Sequence, residues 1–312
     1  MTKSQIDIGI VHYPGALLSA VQGLAEQFYL ANTICNQHGL GDVFKTHMCD
    51  GSLLDTVAEA EINPLRVIIL PPCLDDSYYL DPQAGLLRWL KQQHQNGAII
   101  CSVCAGAFVL AETGLLNGRR VTTHWVLADE FSKRFPDVEL DSNKLLINDM
   151  DIVTAGGLMS WIDLGLELVA QFTNSQIMRQ LGKFLIVDTS PREQRYYQTF
   201  TPKLGHGDDA IVKAQHALQR DFNKTVVIKN LAELSHLTER TFLRRFVKAT
   251  GFKPTHYLQH LRVQKACELI ESNTGSFEKI ATEVGYEDIS AFRKTFVKIT
   301  GQTPKEFKRR FV

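Results

Sequence analysis

The chain has 312 residues, 44% of them hydrophobic and 22% charged, ordinary proportions for folded globular protein in a chain too long for one core, so two domains are expected. The formal net charge of zero hides a split: residues 1–207 hold 15 Lys and Arg against 22 Asp and Glu, whereas residues 208–312 hold 19 against 12. A basic second half is the electrostatic footprint of a nucleic-acid binder, and the acidic first half is excluded from that role.

In chain order, the first half alternates between short β-rich runs and helical patterns. Ile6 to Val11 reads as a buried strand, followed by a helix from about Leu17 to Asn36. Val67–Leu70 is a second strand with a helix over about Gly85–Gln95, and Ala98–Ser102 a third with a helix over Ala105–Thr113. Ile152–Thr154 is a late strand before a helix at Trp161–Phe172, and Ser175–Val187 reads as a closing helix. This alternation predicts a parallel sheet covered by helices on both faces, a flavodoxin-like α/β sandwich over residues 1–188. Residues 189–207 contain Pro191, Pro202, Gly205 and Gly207 without periodicity and read as the linker. From Asp208 to Val312 the pattern is helical throughout, an all-α domain. Met1–Asp7 is polar and carries no signal-peptide core, no apolar run reaches the length of a bilayer, and six scattered cysteines fit a reduced compartment, so the chain is expected to be cytoplasmic with no membrane partner.

The second half repeats itself. Residues 242–254 read FLRRFVKATGFKP and residues 292–304 read FRKTFVKITGQTP, with both Phe, Val, Lys, Thr, Gly and Pro matching at an offset of 50; upstream, Leu231-Ala232 and Ile280-Ala281 match at 49. Each copy has the layout of a helix-turn-helix. In the first, Leu231, Ala232 and Leu234 face inward, His236-Leu237 turns, Thr238 caps the second helix, and Phe242 and Phe246 pack inward at a spacing of four. Arg240, Thr241, Arg244 and Arg245 are left outward. In the second, Gly285-Tyr286 turns, Asp288 or Ser290 caps, Phe292 and Phe296 pack inward, and Ser290, Arg293 and Lys294 face outward. One such helix fits the major groove, where Arg can pair with guanine bidentately and Ser or Thr can reach base edges or phosphates. Between the copies, Thr255–Ser272 is a continuous amphipathic pattern of roughly 27 Å, comparable to the ~34 Å of one DNA turn. One molecule could read two successive major-groove segments of double-stranded DNA.

The segment Asp208–Phe311 resembles the DNA-binding domain of the AraC/XylS family, most closely in IATEVGYEDISAFRKTFVKITGQTPKEFKRR. That resemblance implies a promoter-bound regulator, an activator or dual regulator, that contacts RNA polymerase.

In the first half, Ile99 to Ala107 is a strand running into a sharp turn and a helix, a layout that would hold Cys104 on the rim of the sheet as a nucleophile elbow does. The N-terminus of the following helix is expected to lower the Cys104 thiol pKa, and His124 is a candidate neighbour. Cys101 and Cys104 also form a C-x-x-C, but no second pair and no His cluster completes four ligands, so neither a metal nor another cofactor is expected. Trp89, Trp125 and Trp161 read as packing residues, and Gly156-Gly157 as a tight loop at a strand end bordering a pocket.

SVCAGAFVLAETGLL followed by RRVTTHW resembles the ThiJ/PfpI family of the class I glutamine amidotransferase-like fold over about Gln5–Val187, and its order with an AraC-type C-terminus is that of the GlxA-like regulators. The resemblance makes Cys104 the elbow cysteine and His124 its neighbouring histidine. Three departures speak against catalysis. No acid stands in Tyr13–Ala20, Pro72 replaces a glycine and offers no N–H for an oxyanion, and Ala105 follows the cysteine where protease-like members carry histidine. Cys104 and His124 are then vestigial catalytic positions, and Cys104, His124, Tyr13 and Pro72 border a pocket for a small effector, by analogy with relatives a nitrogenous metabolite, in a domain expected to form homodimers. Two alternatives stay open: a cysteine-dependent amidase, protease or glyoxalase with a DNA-binding appendage, and a thiol redox-sensing regulator.

Overall fold

The computed structural model describes residues 5–51, 65–273 and 275–312, and the chain divides into two compact units, Met1–Gln194 and Arg195–Val312. The first unit runs β1 (Ile6–His12), α1 (Leu18–Gln37), β2 (Phe44–Asp50), β3 (Val67–Leu70), α2 (Asp76–Leu80), α3 (Ala84–Gln95), β4 (Ile99–Val103), α4 (Gly106–Glu112), β5 (Arg120–Val121), α5 (Ala128–Arg134), β6 (Glu139–Leu140), β7 (Leu146–Asp149), β8 (Ile152–Ala155), α6 (Trp161–Phe172) and α7 (Ser175–Leu185). Six strands form one sheet in the order β2-β1-β3-β4-β8-β7, and β5 pairs with β6 apart from it. Every pairing in the large sheet is parallel except β7 with β8, which is antiparallel. The expected parallel α/β sandwich is therefore present, with an antiparallel edge. β3, β4 and β8 are buried at every position, as strands covered on both faces must be.

Glycines set how closely the helices pack. A Cβ on Gly23 of α1 would lie 2.5 Å from the Trp161 ring, and one on Gly165 of α6 would lie 2.3 Å from Gln27. Gln27, buried in α1, donates to the Ile162 carbonyl at 3.0 Å. The pair α1/α6 thus closes only because each helix offers a gap to the other's large side chain.

The second unit is helical: α8 (Asp209–Arg220), α9 (Ile228–Leu234), α10 (Glu239–Thr250), α11 (Pro254–Glu271), α12 (Phe277–Glu283), α13 (Ile289–Thr300) and α14 (Pro304–Phe311). It holds two cores. One gathers Ile211, Leu218, Leu231, Phe242, Phe246 and Tyr257; the other gathers Val263, Ile270, Ile280, Phe292, Phe296 and Phe307. Helix α11 supplies Tyr257 and Leu258 to the first and Val263, Ala266 and Ile270 to the second.

Parts of the stretch 189–207, expected as a linker, are bound to one unit or the other. Arg192 pairs with Asp163 at 2.6 Å and Glu193 with Lys144 at 2.7 Å. Gln194 is 2% exposed. Beyond the boundary, the Phe200 ring packs edge-on against Tyr257 at 5.1 Å, and its N–H donates to Gln264 Oε1 at 3.0 Å. His206 hydrogen-bonds Gln215 at 2.8 Å. Ion pairs, ring packing and hydrogen bonds thus hold these residues without a periodic apolar pattern.

Candidate DNA interface and elbow pocket

The two helix-turn-helix copies are built from the same parts. Leu237 N–H donates to the Ala232 carbonyl at 2.9 Å, and Tyr286 N–H to that of Ala281 at 2.9 Å. His236 at φ 53 and Gly285 at φ 86 make the turns in the left-handed region. Thr238 caps α10 by accepting from Thr241 N–H, and Asp288, the first of the two expected candidates, caps α13 by accepting from Ser290 and Ala291 N–H. Both second helices have 12 residues and end on a left-handed glycine, Gly251 or Gly301. Phe242, Phe246, Phe292 and Phe296 are all 0% exposed, so the faces opposite them are fixed outward.

On those outward faces Arg240, Arg244, Ser290, Arg293 and Lys294 are exposed and Thr241 is half-buried. Arg240, Arg244 and Lys294 form no ion pair among the described residues. Thr241 Oγ1 accepts from the Thr238 hydroxyl at 3.0 Å. Arg293 lies over the Phe277 ring at 5.4 Å and 3.9 Å from Glu278. Arg245, expected outward with the others, differs. Its guanidinium makes two bonds to the Asp208 carboxylate, at 2.9 and 2.7 Å, and that carboxylate also caps α8. The bidentate pair holds Asp208 below the usual carboxylate range. Arg245 therefore ties α10 to α8, and sequence could not reveal this because its partner lies 37 residues away.

In the first unit Cys104 adopts φ 55, a left-handed conformation rare outside glycine. Its N–H donates to the Ala155 carbonyl at 2.8 Å and its carbonyl accepts from Thr123 Oγ1 at 2.7 Å. A Cβ on Gly106 would lie 2.8 Å from the Leu70 and Pro71 carbonyl oxygens, so only glycine lets α4 start this close to β3. Tyr13 is 1% exposed, donates its hydroxyl to the Pro71 carbonyl and stacks on Tyr78 with ring centres 5.2 Å apart. The buried Pro72 offers its carbonyl to Leu17 N–H at 2.8 Å, while Ala16 bridges to Cys73. His124 sits two residues beyond Thr122 in the same loop as Thr123, half-buried against Trp125, and its Nδ1 accepts from Val126 N–H at 3.2 Å. Tyr13, Pro72 and Cys104 thus meet at the carboxyl ends of β1, β3 and β4. The neighbour of His124, Thr123, bonds the Cys104 carbonyl, but the His124 ring itself contacts Trp125 and Val126 N–H, and no hydrogen bond links it to the thiol among the described residues.

Two families match the chain: the helix-turn-helix domain over residues 231–310 and the DJ-1/PfpI family over residues 42–171. The chain joins a DJ-1/PfpI domain to an AraC-type helix-turn-helix domain. The HTH-type transcriptional regulator CdhR of Pseudomonas aeruginosa is 29% identical over 213 residues, 68% of this chain and 63% of CdhR, which is less than two thirds of that relative's length. The HTH-type transcriptional regulator GlxA of Rhizobium meliloti is 26% identical over 230 residues, 71% of this chain and 68% of GlxA. A crystal structure from Vibrio parahaemolyticus, described as a candidate transcriptional regulator, superposes with a TM-score of 0.52 at 19% identity, covering 58% of this chain and all of that one; it shows the fold of the DJ-1/PfpI domain.

The electrostatics of the DJ-1/PfpI elbow reverse the expectation of an activated thiol. Burial pushes the Cys104 thiol up to about 11, and the nearby Cys73 pushes the same way; one backbone N–H, that of Ala105, opposes them. Two pH units correspond to about 3 kcal/mol against ionisation. A helix N-terminus returns only about 0.3–1 kcal/mol at exposed sites, and α4 is seven residues long. Desolvation wins. Burial also lowers the His124 pKa, so the ring is neutral at pH 7 and cannot stabilise a thiolate by charge. Cys101 is fully buried in β4 and pushed up further, which removes it as a ready dithiol partner. No group of three His, Cys, Asp or Glu side chains able to hold a metal ion occurs among the described residues, and none of their helices is long and apolar enough to cross a membrane.

Two features of the DJ-1/PfpI domain were not foreseen. A cavity of about 290 Å³ lies beside β7 and α6, lined by Leu146, Asp163, Leu166, Glu167, Met178 and Arg192. Gln194, the last residue of the unit, accepts from Trp125 N–H at 3.2 Å and donates to Thr122 Oγ1, the Thr123 carbonyl and the Lys144 carbonyl at 3.0, 2.8 and 2.9 Å. It clamps the loop that carries His124 and touches the elbow. No motif marks a lone glutamine in a proline-rich stretch.

Cys104 in the native chain is expected to react with iodoacetamide far more slowly at pH 8 than free cysteine, and to speed up with pH toward about 11. Site-resolved mass spectrometry reads this; rapid alkylation of Cys104 at pH 7 would contradict a neutral buried thiol.

Proposed function

We propose that the chain is a sequence-specific DNA-binding transcription regulator. Its AraC-type domain reads two successive major-groove segments of a promoter, and its DJ-1/PfpI domain binds a small effector without covalent chemistry. The observation that carries the reading is the equivalence of α10 and α13: equal length, equivalent caps, and Arg240 and Arg244 on one and Arg293 and Lys294 on the other, held outward by four buried phenylalanines. Arg and Lys so displayed supply both phosphate attraction and base readout. Arg245 and Thr241 have partners within the unit, which leaves Arg240 and Arg244 as the leading readers of the first copy.

The elbow supports a binding role. Cys104 is neutral, His124 is neutral, Tyr13 already donates to Pro71, and Pro72 gives no N–H. A polar but uncharged rim of this kind suits a small nitrogenous metabolite more than a covalent intermediate. Thr123 touches the Cys104 carbonyl, and Gln194 holds the Thr122–Trp125 loop directly before the second unit begins. A ligand that moves this loop would bias the chain leading to the DNA-binding domain by its differential affinity for the two states. In this reading the protein works in the cytoplasm as a homodimer, activates transcription, and contacts RNA polymerase at its promoter.

Arg244→Ala should cost about 1–3 kcal/mol at a single base-pair position and flatten sequence preference there. Competition binding against a set of point-substituted duplexes measures it; an equal loss on every sequence would make Arg244 a phosphate contact instead. For the effector, thermal unfolding of the full chain against a panel of nitrogenous metabolites should yield a compound that stabilises it, by about 2.7 kcal/mol at a hundredfold excess over the dissociation constant. The stabilisation should survive Cys104→Ala. Loss of the shift in that variant, or consumption of the compound, would point to an enzyme.

A further inference from the structure

The two DNA-reading copies share α11, but the helix changes partners part-way. Tyr257 and Leu258 belong to the first core, and the second begins at Val263. Between them, Gln259, His260, Leu261 and Arg262 are only half-buried. Leu261 packs against the first core, and the His260 ring lies 5.1 and 4.8 Å from Phe200 and Phe252 at its edge, so this stretch is held on the side of the first copy and needs a separate tie to the second. Whatever pins that middle sets the angle between α10 and α13.

Arg262 occupies that position. Its Nε donates to the Phe222 carbonyl at 2.7 Å and its Nη2 to the Lys224 carbonyl at 2.9 Å. The same guanidinium lies over the Tyr286 ring at 5.1 Å. The three partners come from different places. Phe222 to Lys224 directly follow α8, whose Ile211, Ala214 and Leu218 belong to the first core, and the Phe222 ring packs against both cores. Tyr286 follows the turn of the second copy and packs on Phe292 of its reading helix at 4.6 Å.

The wedge 222–224 also presses on that turn. A Cβ on Gly285 would lie 2.3 Å from the Asn223 carbonyl oxygen, and Gly285 itself is at φ 86. At the equivalent turn the first copy tolerates His236 at φ 53. The repeat is therefore broken where the two copies meet, and glycine stands where the backbone of the first half approaches the second.

We propose that Arg262 is a specificity-determining residue that contacts no base: by joining the 222–224 wedge to Tyr286 at the middle of α11, where the helix passes from one core to the other, it fixes the half-site spacing that the two copies read. The inference rests on the proposed double reading of DNA. A planar guanidinium suits the task because it bonds two carbonyls in fixed directions and stacks on a ring at once; an ammonium cannot do all three.

The test uses the full chain and a bipartite duplex that the unaltered chain selects from a randomised pool. Inserting or deleting one base pair between the halves displaces one half-site by about 3.4 Å and rotates it by about a tenth of a turn. The unaltered chain should lose at least tenfold in affinity, about 1.4 kcal/mol. In Arg262→Ala and Arg262→Lys that penalty should fall below about threefold, with affinity for an isolated half-site within about twofold of the unaltered chain. If Arg262→Ala unfolds, as thermal unfolding would reveal, Arg262→Lys carries the measurement. An unchanged spacing penalty in the folded variant, or an equal loss on isolated and paired half-sites, overturns the role of Arg262. Selection of no bipartite site by the unaltered chain would overturn the double reading itself, a separate outcome.

Discussion

One helix buried in two cores is the constraint on which the DNA-binding half depends. Neither helix-turn-helix copy closes a core alone. The first needs α8 and the start of α11, and the second needs the end of α11 and α14. Each fully buried phenylalanine removes apolar surface worth roughly 1.5–3 kcal/mol, and four of them sit at repeated positions on α10 and α13. The outward residues are free to vary because the inward ones are not. The same arrangement couples the copies, since a shift of α11 moves both reading helices together.

The first unit is organised around a tight approach of backbone to backbone. Gly106 lets α4 begin against the carbonyls of Leu70 and Pro71, and Cys104 is forced to positive φ at the turn before it. An elbow of this shape projects its side chain over the strand ends, the place where open α/β sheets take ligands. Here the surroundings remove the charge that chemistry would require. The thiol is desolvated, and the facing loop from Tyr13 to Leu17 closes against Pro72 and Cys73 through backbone bonds. The scaffold keeps the geometry of a nucleophile elbow and lacks its electrostatics.

Much of this was legible in sequence. The repeat stood out because both copies need the same phenylalanines, the same left-handed glycine and the same proline to start the next helix. β3 and β4 were legible because strands covered on both faces are short continuous apolar runs. β2 was missed because an edge strand such as FKTHMCD alternates exposed polar residues with few apolar ones, and β7 because LIND is short and half-exposed. The Arg245–Asp208 pair, the Arg262 junction and the Gln194 clamp join residues 24 or more positions apart, and local pattern carries no signal for them. The thiol was misjudged because a helix N-terminus is visible in sequence and burial is not.

The central claim, that one chain reads DNA twice, is tested most directly by hydroxyl-radical footprinting of the full chain on a duplex it selects from a randomised pool. The account predicts two protected segments on one face of the duplex, about 10 base pairs apart. Protection of a single segment, or uniform weak protection without sequence preference, would contradict it.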